Sequence, residues 1–150
     1  MSQSLAKIYI HLIYSTKNRQ PLITPDIRPE LHTYLGGTVN ALNCQSLQVG
    51  GTADHVHQLF ILHKTRPLCD VVEEVKKESS KWMKTKGEAL KAFYWQSGYG
   101  AFSVSQSAVP AVSDYIANQE EHHRTVSFQD EFRMFLRKYQ IEFDERYVWD

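Results

Sequence analysis

The chain has 150 residues, 42% of them apolar and 12% aromatic, and its formal net charge is zero. That supply of apolar side chains suffices for one packed core and excludes an intrinsically disordered chain. No apolar run reaches the length of a membrane-spanning helix, and the balanced total excludes a protein that is basic throughout.

The opening MSQSLAKIYIHLIYS lacks a sustained apolar segment and a small-residue cleavage site, so it reads as a first strand and not as a signal peptide. Ile8 to Ser15 is β-branched and aromatic, as strands are. The loop STKNRQPLITPD follows with Lys17 and Arg19. From about Asp26 to Asn43 the residues Ile27, Leu31, Tyr34, Leu35 and Leu42 share one side of a helix begun at Pro25-Asp26. SLQVGG reads as a strand ending at Gly50-Gly51, and DHVHQLFIL as its hairpin partner. A second helix is predicted from about Pro67 to Thr85, with Val71, Val75, Ser79 and Trp82 inward and Gly87 past its end. AFYWQSGYGAFSVS reads as one further strand that Gly98 and Gly100 allow to bend. Ser107 is expected to cap a third helix reaching about His123, with Pro110 in its first turn. Phe128 to Tyr139 is helical, with Phe128, Phe132, Phe135 and Tyr139 on one side, and IEFDERYVW is an aromatic tail.

This order predicts an α+β fold: a split βαβ sandwich with an antiparallel sheet and helices on one face, in a single domain spanning 1–150. The histidines of DHVHQLFIL are expected on a central strand, on the face the helices leave free. Residues 64–91 hold eight basic groups against five acids, and residues 114–150 hold five against nine. A basic middle beside an acidic tail offers one positive face to phosphates, although a lysine-rich amphipathic helix is ordinarily just solvated. Cys44 and Cys69 have no metal-ligand spacing and read as reduced, partly buried thiols of a cytoplasmic protein.

The chemistry concentrates in two places. His55 and His57 are two apart in a strand, so both imidazoles leave the same face while Val56 and Phe60 point to an apolar layer. Such a pair arises often by chance, but Asp54 stands where it could orient one ring, and the preceding glycines allow another backbone close. Tyr115 and Gln119 are four apart and share a helix face. A glutamine carbonyl beside two imidazoles makes a mixed nitrogen and oxygen set, suited to Mg²⁺ or Mn²⁺ and open to Zn²⁺ or Ni²⁺. A phenol with a pKa of about 10 needs help to attack at neutral pH, and a divalent ion provides it. Tyrosine and metal together point to phosphoryl transfer onto a protein hydroxyl. No Gly-rich phosphate loop is present, consistent with a reaction that conserves bond energy in a phosphotyrosine diester.

With these residues in view, HVH resembles the His-hydrophobe-His motif of the HUH nucleases. YIANQEEHH, with IHLIYSTKNRQPLI, VKKESSKW, WQSGYGAFSVS and FRMFLRKYQIEFDERYVW, resembles the single-tyrosine HUH transposases of the small bacterial insertion sequences, the IS200-like family. The likeness covers nearly the whole chain. It implies a ferredoxin-like or RRM-like core carrying a C-terminal catalytic helix and acting on single-stranded DNA. It also implies recognition of hairpins at element ends and cleavage and rejoining through a 5′-phosphotyrosine. By motif position Tyr115 is the implied nucleophile, and His55, His57 and Gln119 hold the implied metal, Mg²⁺ or Mn²⁺. The family also implies a homodimer in which Tyr115 can act on the partner's metal site, and a cytoplasmic, nucleoid-associated prokaryotic protein. Lys17, Arg19, Lys76, Lys77 and Lys81 are candidate DNA-backbone contacts. Tyr94, Trp95 and Tyr99 could stack bases. His122 and His123 read as structural or DNA-facing and not as ligands.

Two other readings stand beside this one. A histidine-triad nucleotide hydrolase also alternates histidines along a strand, but it needs a third at position 59, which is Leu59. A non-catalytic single-stranded nucleic-acid-binding module of RRM-like fold is the stronger rival, since that fold binds single strands through sheet aromatics. Convergence of Tyr115, Gln119, His55 and His57 separates the two, because a mere binder has no use for it.

Overall fold

The computed structural model describes residues 2–150. Four antiparallel strands, β1 (Ile8–Ser15), β2 (Gln45–Gly51), β3 (His55–Leu62) and β4 (Gly100–Val104), lie in the spatial order β2-β3-β1-β4. Helix α1 (Arg28–Ala41) joins β1 to β2, and α2 (Leu68–Lys84) joins β3 to β4. The result is the expected split βαβ sandwich.

Strand alternation divides the protein into two layers of different character. Ile10, Leu12 and Tyr14 of β1 and Val56 and Phe60 of β3 face one way, onto Leu31, Leu35 and Val39 of α1 and Val71 and Val75 of α2. Fully burying a side chain of this size contributes about 1.5–3 kcal/mol, so this layer carries most of the stability. His11, Ile13, His55 and His57 face the other way.

That second face is not left open. Helices α3 (Val109–Ala117), α4 (Gln119–His122) and α5 (Phe128–Lys138) cover it. The stripe Phe128, Phe132 and Leu136 of α5 must be buried somewhere, and Ile13 and Phe102 offer the matching apolar surface. Ser127 caps α5 by accepting the Asp130 N–H at 3.1 Å, which fixes where this helix starts. The sheet is therefore sandwiched between α1 and α2 on one side and the C-terminal helices on the other. Both sequence-identified histidines are fully buried.

Two predicted elements are shorter than expected. The strand read over residues 92–105 survives only as Gly100–Val104, with an isolated bridge between Trp95 and Thr16. The carbonyls of Gln96, Ser97 and Gly98 turn instead to the Lys76 ammonium, at 2.9, 3.3 and 2.5 Å, which takes them out of any ladder. The third helix begins at Val109, after a 3₁₀ turn at Gln106–Ala108, with no cap from Ser107. It breaks at Asn118, whose side-chain amide and backbone N–H both donate to the Asp114 carbonyl. Among the described residues no helix is long and apolar enough to cross a membrane.

Candidate active site

Antiparallel register sets the site's floor. Ile13 lies opposite His57 and Ser15 opposite His55, so the two imidazoles stand side by side on a central strand, with ring centroids 5.2 Å apart. Gly50 pairs with His57 on the far side. A Cβ at position 50 would meet the Ile116 carbonyl at 2.2 Å, so glycine there is what lets α3 settle on the sheet. That seating brings Tyr115 of α3 and Gln119 of α4 down over the histidines, the two side chains converging although the helix breaks between them at Asn118.

Gln119 Oε1 lies 2.8 Å from His55 Nε2 and 3.0 Å from His123 Nε2, while its amide donates to Glu131 Oε2 at 2.9 Å. Glu131 Oε1 lies 2.9 Å from His57 Nε2, 3.1 Å from His123 Nε2 and 3.5 Å from His55 Nε2. The Tyr115 hydroxyl donates to the other Glu131 oxygen and stands 3.2 Å from His122 Nε2. His122 Nε2 also lies 3.1 Å from Glu131 Oε2, so one carboxylate ties four imidazoles to the phenol, all within one chain. His55, His57, His123 and Glu131 offer ligand atoms that all lie within 4.8 Å of one another.

The outward ring nitrogens show that this set suits a cation. His55 Nδ1 lies 2.7 Å from Asp54 Oδ1, and His123 Nδ1 lies 2.6 Å from the Val126 carbonyl. Both partners only accept, so each ring must carry its proton on Nδ1. A neutral His55 or His123 then turns a bare Nε2 lone pair inward, towards the oxygens of Gln119 and Glu131. Lone pairs gathered against oxygens in a buried site require positive charge among them, from a proton or from a metal ion.

The titration behaviour follows from burial and from Glu131. Burial holds His57 down at about 4, against the pull of the Glu131 carboxylate, and holds His11 at about 3. His123 is also pulled down by burial, but Glu131 more than compensates and raises it above the ordinary histidine value. Burial alone would raise Glu131, yet hydrogen bonds from His123 and His57 keep it far below the usual carboxylate range. Burial and then Glu131 push the Tyr115 phenol upward, so it rests protonated against an ionised carboxylate.

Sequence reading missed three of these residues. His123, taken as structural or DNA-facing, turns its Nε2 into the cluster. Glu131 left a signal: it is a charge within the buried stripe Phe128, Phe132, Leu136. His11 is the one histidine in IYIHLIYS, and its Nε2 lies 2.8 Å from His57 Nδ1.

The basic candidates divide differently from expectation. Lys76 spends its three donors on the loop carbonyls and packs against the Tyr14 and Tyr99 rings, so it is not free to meet a phosphate. Lys77 and Lys81 are exposed on α2, across the sheet from the histidines, beside Glu74 and Glu78. Arg19 lies over the Trp149 ring, and the Lys17 backbone binds the Tyr94 carbonyl. The cations beside Tyr115 are Arg137 and Lys138, at the rim of a groove of about 890 Å³ walled by Val104, Val112, Phe135 and Tyr139. Tyr94 and Tyr99 are exposed, while Trp95 is buried with its Nε1 on Ser79 Oγ at 2.9 Å.

The family model described as "Transposase IS200 like" matches residues 4–119. The chain belongs to the IS200-like transposase family. No curated protein matches it at the sequence level. Among solved structures, a Deinococcus radiodurans R1 protein described as a transposase is similar at TM-score 0.62 and 22% identity, covering 79% of this chain and 98% of that one. A REP-associated tyrosine transposase bound to a REP hairpin is similar at TM-score 0.60 and 14% identity, covering 84% of this chain and 76% of that one. Both share the fold of this transposase. Its family match ends at Gln119, so Glu131 and the whole of α5 lie beyond the matched stretch.

Proposed function

We propose that this transposase cuts and rejoins single-stranded DNA with Tyr115 as its only nucleophile, the whole of residues 1–150 acting as one HUH domain. The observation that carries the reading is the Tyr115 hydroxyl on the same buried carboxylate that gathers His57 and His123.

The Tyr115 oxygen attacks the scissile phosphorus, its proton passes to His122, whose Nε2 stands 3.2 Å from the hydroxyl, and the bond from phosphorus to the 3′-oxygen breaks. The DNA leaves with a free 3′-hydroxyl once that oxygen takes up a proton, and the 5′-phosphate stays on Tyr115. Attack by a 3′-hydroxyl on the phosphotyrosine reverses these steps and releases the phenol without a nucleotide cofactor. His55, His57, His123 and Glu131, with the Gln119 carbonyl beside them, are the residues that would hold a divalent cation. When bound, that ion would act as a Lewis acid, neutralising charge on the phosphate and on the departing oxygen. Three imidazoles and a carboxylate suit Mn²⁺ better than Mg²⁺, because nitrogen-rich sets favour the softer ion.

The groove beside Tyr115 gives a strand a way in, with apolar walls for bases and Arg137 and Lys138 for the backbone. Hairpin DNA is the substrate class, and Lys17, Arg19, Lys77 and Lys81 are proposed contacts to the hairpin stem outside the cleavage site. The homodimer implied by the family is part of the same proposal. The complete set of side chains within one chain favours Tyr115 acting on its own subunit's site.

Incubation with hairpin-bearing single-stranded DNA and Mn²⁺, followed by a denaturing gel, tests the reading. A covalent protein–DNA adduct that disappears in Tyr115→Phe is expected. An adduct retained in that variant moves the nucleophile elsewhere, and binding with no cleavage by the unmodified protein favours a simple binding module.

A further inference from the structure

We propose that His11 is a positioning residue for the cation site: it accepts the Nδ1–H of His57 and so keeps the His57 Nε2 lone pair turned inward. The inference rests on reading His55, His57, His123 and Glu131 as a cation site.

Each candidate ligand ring has an outward nitrogen with a neighbour. For His55 that neighbour is a carboxylate and for His123 a backbone carbonyl, and both can only accept. His57 differs, because its outward Nδ1 meets His11 Nε2 at 2.8 Å, and an imidazole nitrogen can either give or take. With a proton on His57 Nε2, that N–H donates to Glu131 Oε1, and His11 Nε2–H donates to His57 Nδ1. With a cation on His57 Nε2, the proton must sit on Nδ1, so His11 becomes the acceptor and carries its own proton on Nδ1. A fixed acceptor in place of His11 would satisfy only the second state and would leave a buried nitrogen unpaired in the first.

The surroundings hold His11 to this task. It is 2% exposed and lies diagonal to His57 across the β1–β3 ladder, since it pairs with Leu59 while Ile13 pairs with His57. Phe135 meets its ring edge-on with centroids 5.1 Å apart, and Phe102 does so at 6.5 Å. Those contacts fix the plane of the ring, so the Nε2 contact to His57 is retained when the proton moves between the rings.

The test uses the full chain. Mn²⁺ affinity is measured by electron paramagnetic resonance at constant pH. Long-range proton–nitrogen spectra of ¹⁵N-histidine-labelled protein are recorded with and without Mg²⁺. His11→Leu is expected to weaken Mn²⁺ binding about 10- to 100-fold, the usual cost of losing the partner of a ligating histidine. His11→Gln, whose amide oxygen can accept in the same place, should recover most of that loss. In the unmodified protein, Mg²⁺ should move the His57 proton from Nε2 to Nδ1, a readout that does not depend on either variant folding. Equal Mn²⁺ affinity in His11→Leu and unmodified protein overturns the role of His11 alone, while a His57 proton still on Nε2 with Mg²⁺ bound removes His57 from the cation site and overturns the inference with it. Failure of the unmodified protein to bind Mn²⁺ overturns the cation site itself, and the inference with it.

Discussion

Replacing Gly50 by alanine tests whether the seating of α3 sets the chemistry. The added Cβ would stand 2.2 Å from the Ile116 carbonyl oxygen and 2.9 Å from the Ile116 Cγ2, where ordinary contacts begin near 3.4 Å. Because the closest obstacle is backbone and not the tip of a flexible side chain, α3 must retreat by about 1 Å. Tyr115 neighbours Ile116, so its hydroxyl recedes from Glu131 by a similar amount. Overpacking of this kind costs about 1–3 kcal/mol of stability, and a misplacement of about 1 Å costs roughly 100-fold in rate. The assay is the single-turnover rate of adduct formation on a hairpin oligonucleotide, below the melting temperature of the variant. Gly37→Ala is the control: Gly37 is exposed in α1 with nothing within 4 Å of the new Cβ. It should stabilise the protein by about 0.5–1 kcal/mol and leave the rate unchanged. A Gly50→Ala protein that cleaves at the unmodified rate would refute the claim that this contact places the tyrosine.

Glu131→Gln keeps the side chain's shape but removes the charge that gathers His57 and His123. Mn²⁺ affinity should fall at least tenfold and adduct formation about 100-fold or more, and an unchanged Mn²⁺ titration would exclude the carboxylate from the cation site. His32 supplies a pH test away from the site. Burial, with the nearby Arg28 charge, lowers it to about 4 from 6.5, and its Nε2 has no hydrogen-bond partner among the described residues. The folded state therefore binds fewer protons than the unfolded one between these values. Stability is full above about pH 6.5, falls by at most about 1.4 kcal/mol per pH unit on this group's account as the solution is acidified, and levels off below about pH 4. His32→Leu should flatten the urea-unfolding free energy across that window by about 3 kcal/mol relative to unmodified protein. Parallel pH curves for the two would show that His32 is not held neutral.

The period of two in HVH and the spacing of four between Tyr115 and Gln119 were both legible in the sequence, because they depend only on local backbone geometry. So was the role of the glycines before the histidines, since a missing side chain implies that something comes close. Glu131 was legible only as an anomaly, a charge inside an apolar stripe. Helical periodicity says that such a residue faces inward but not what it meets. Lys76 could not be distinguished from its exposed neighbours Lys77 and Lys81, because a run of lysines does not reveal which one lies under a loop of free carbonyls.

The amino-acid order by itself determined most of the strands and helices and the two faces of the sheet. These rest on short-range periodicity and on the apolar surface that each element has to hide. The packing of α5 onto the histidine face, and with it the meeting of Glu131, His123 and His11 around His57, was decided only in the folded molecule. That choice depends on apolar surfaces far apart in the chain, Phe128 and Phe132 against Ile13 and Phe102, finding one another. No local pattern encodes such a pairing, and it is this pairing that places one carboxylate between the imidazoles and the phenol.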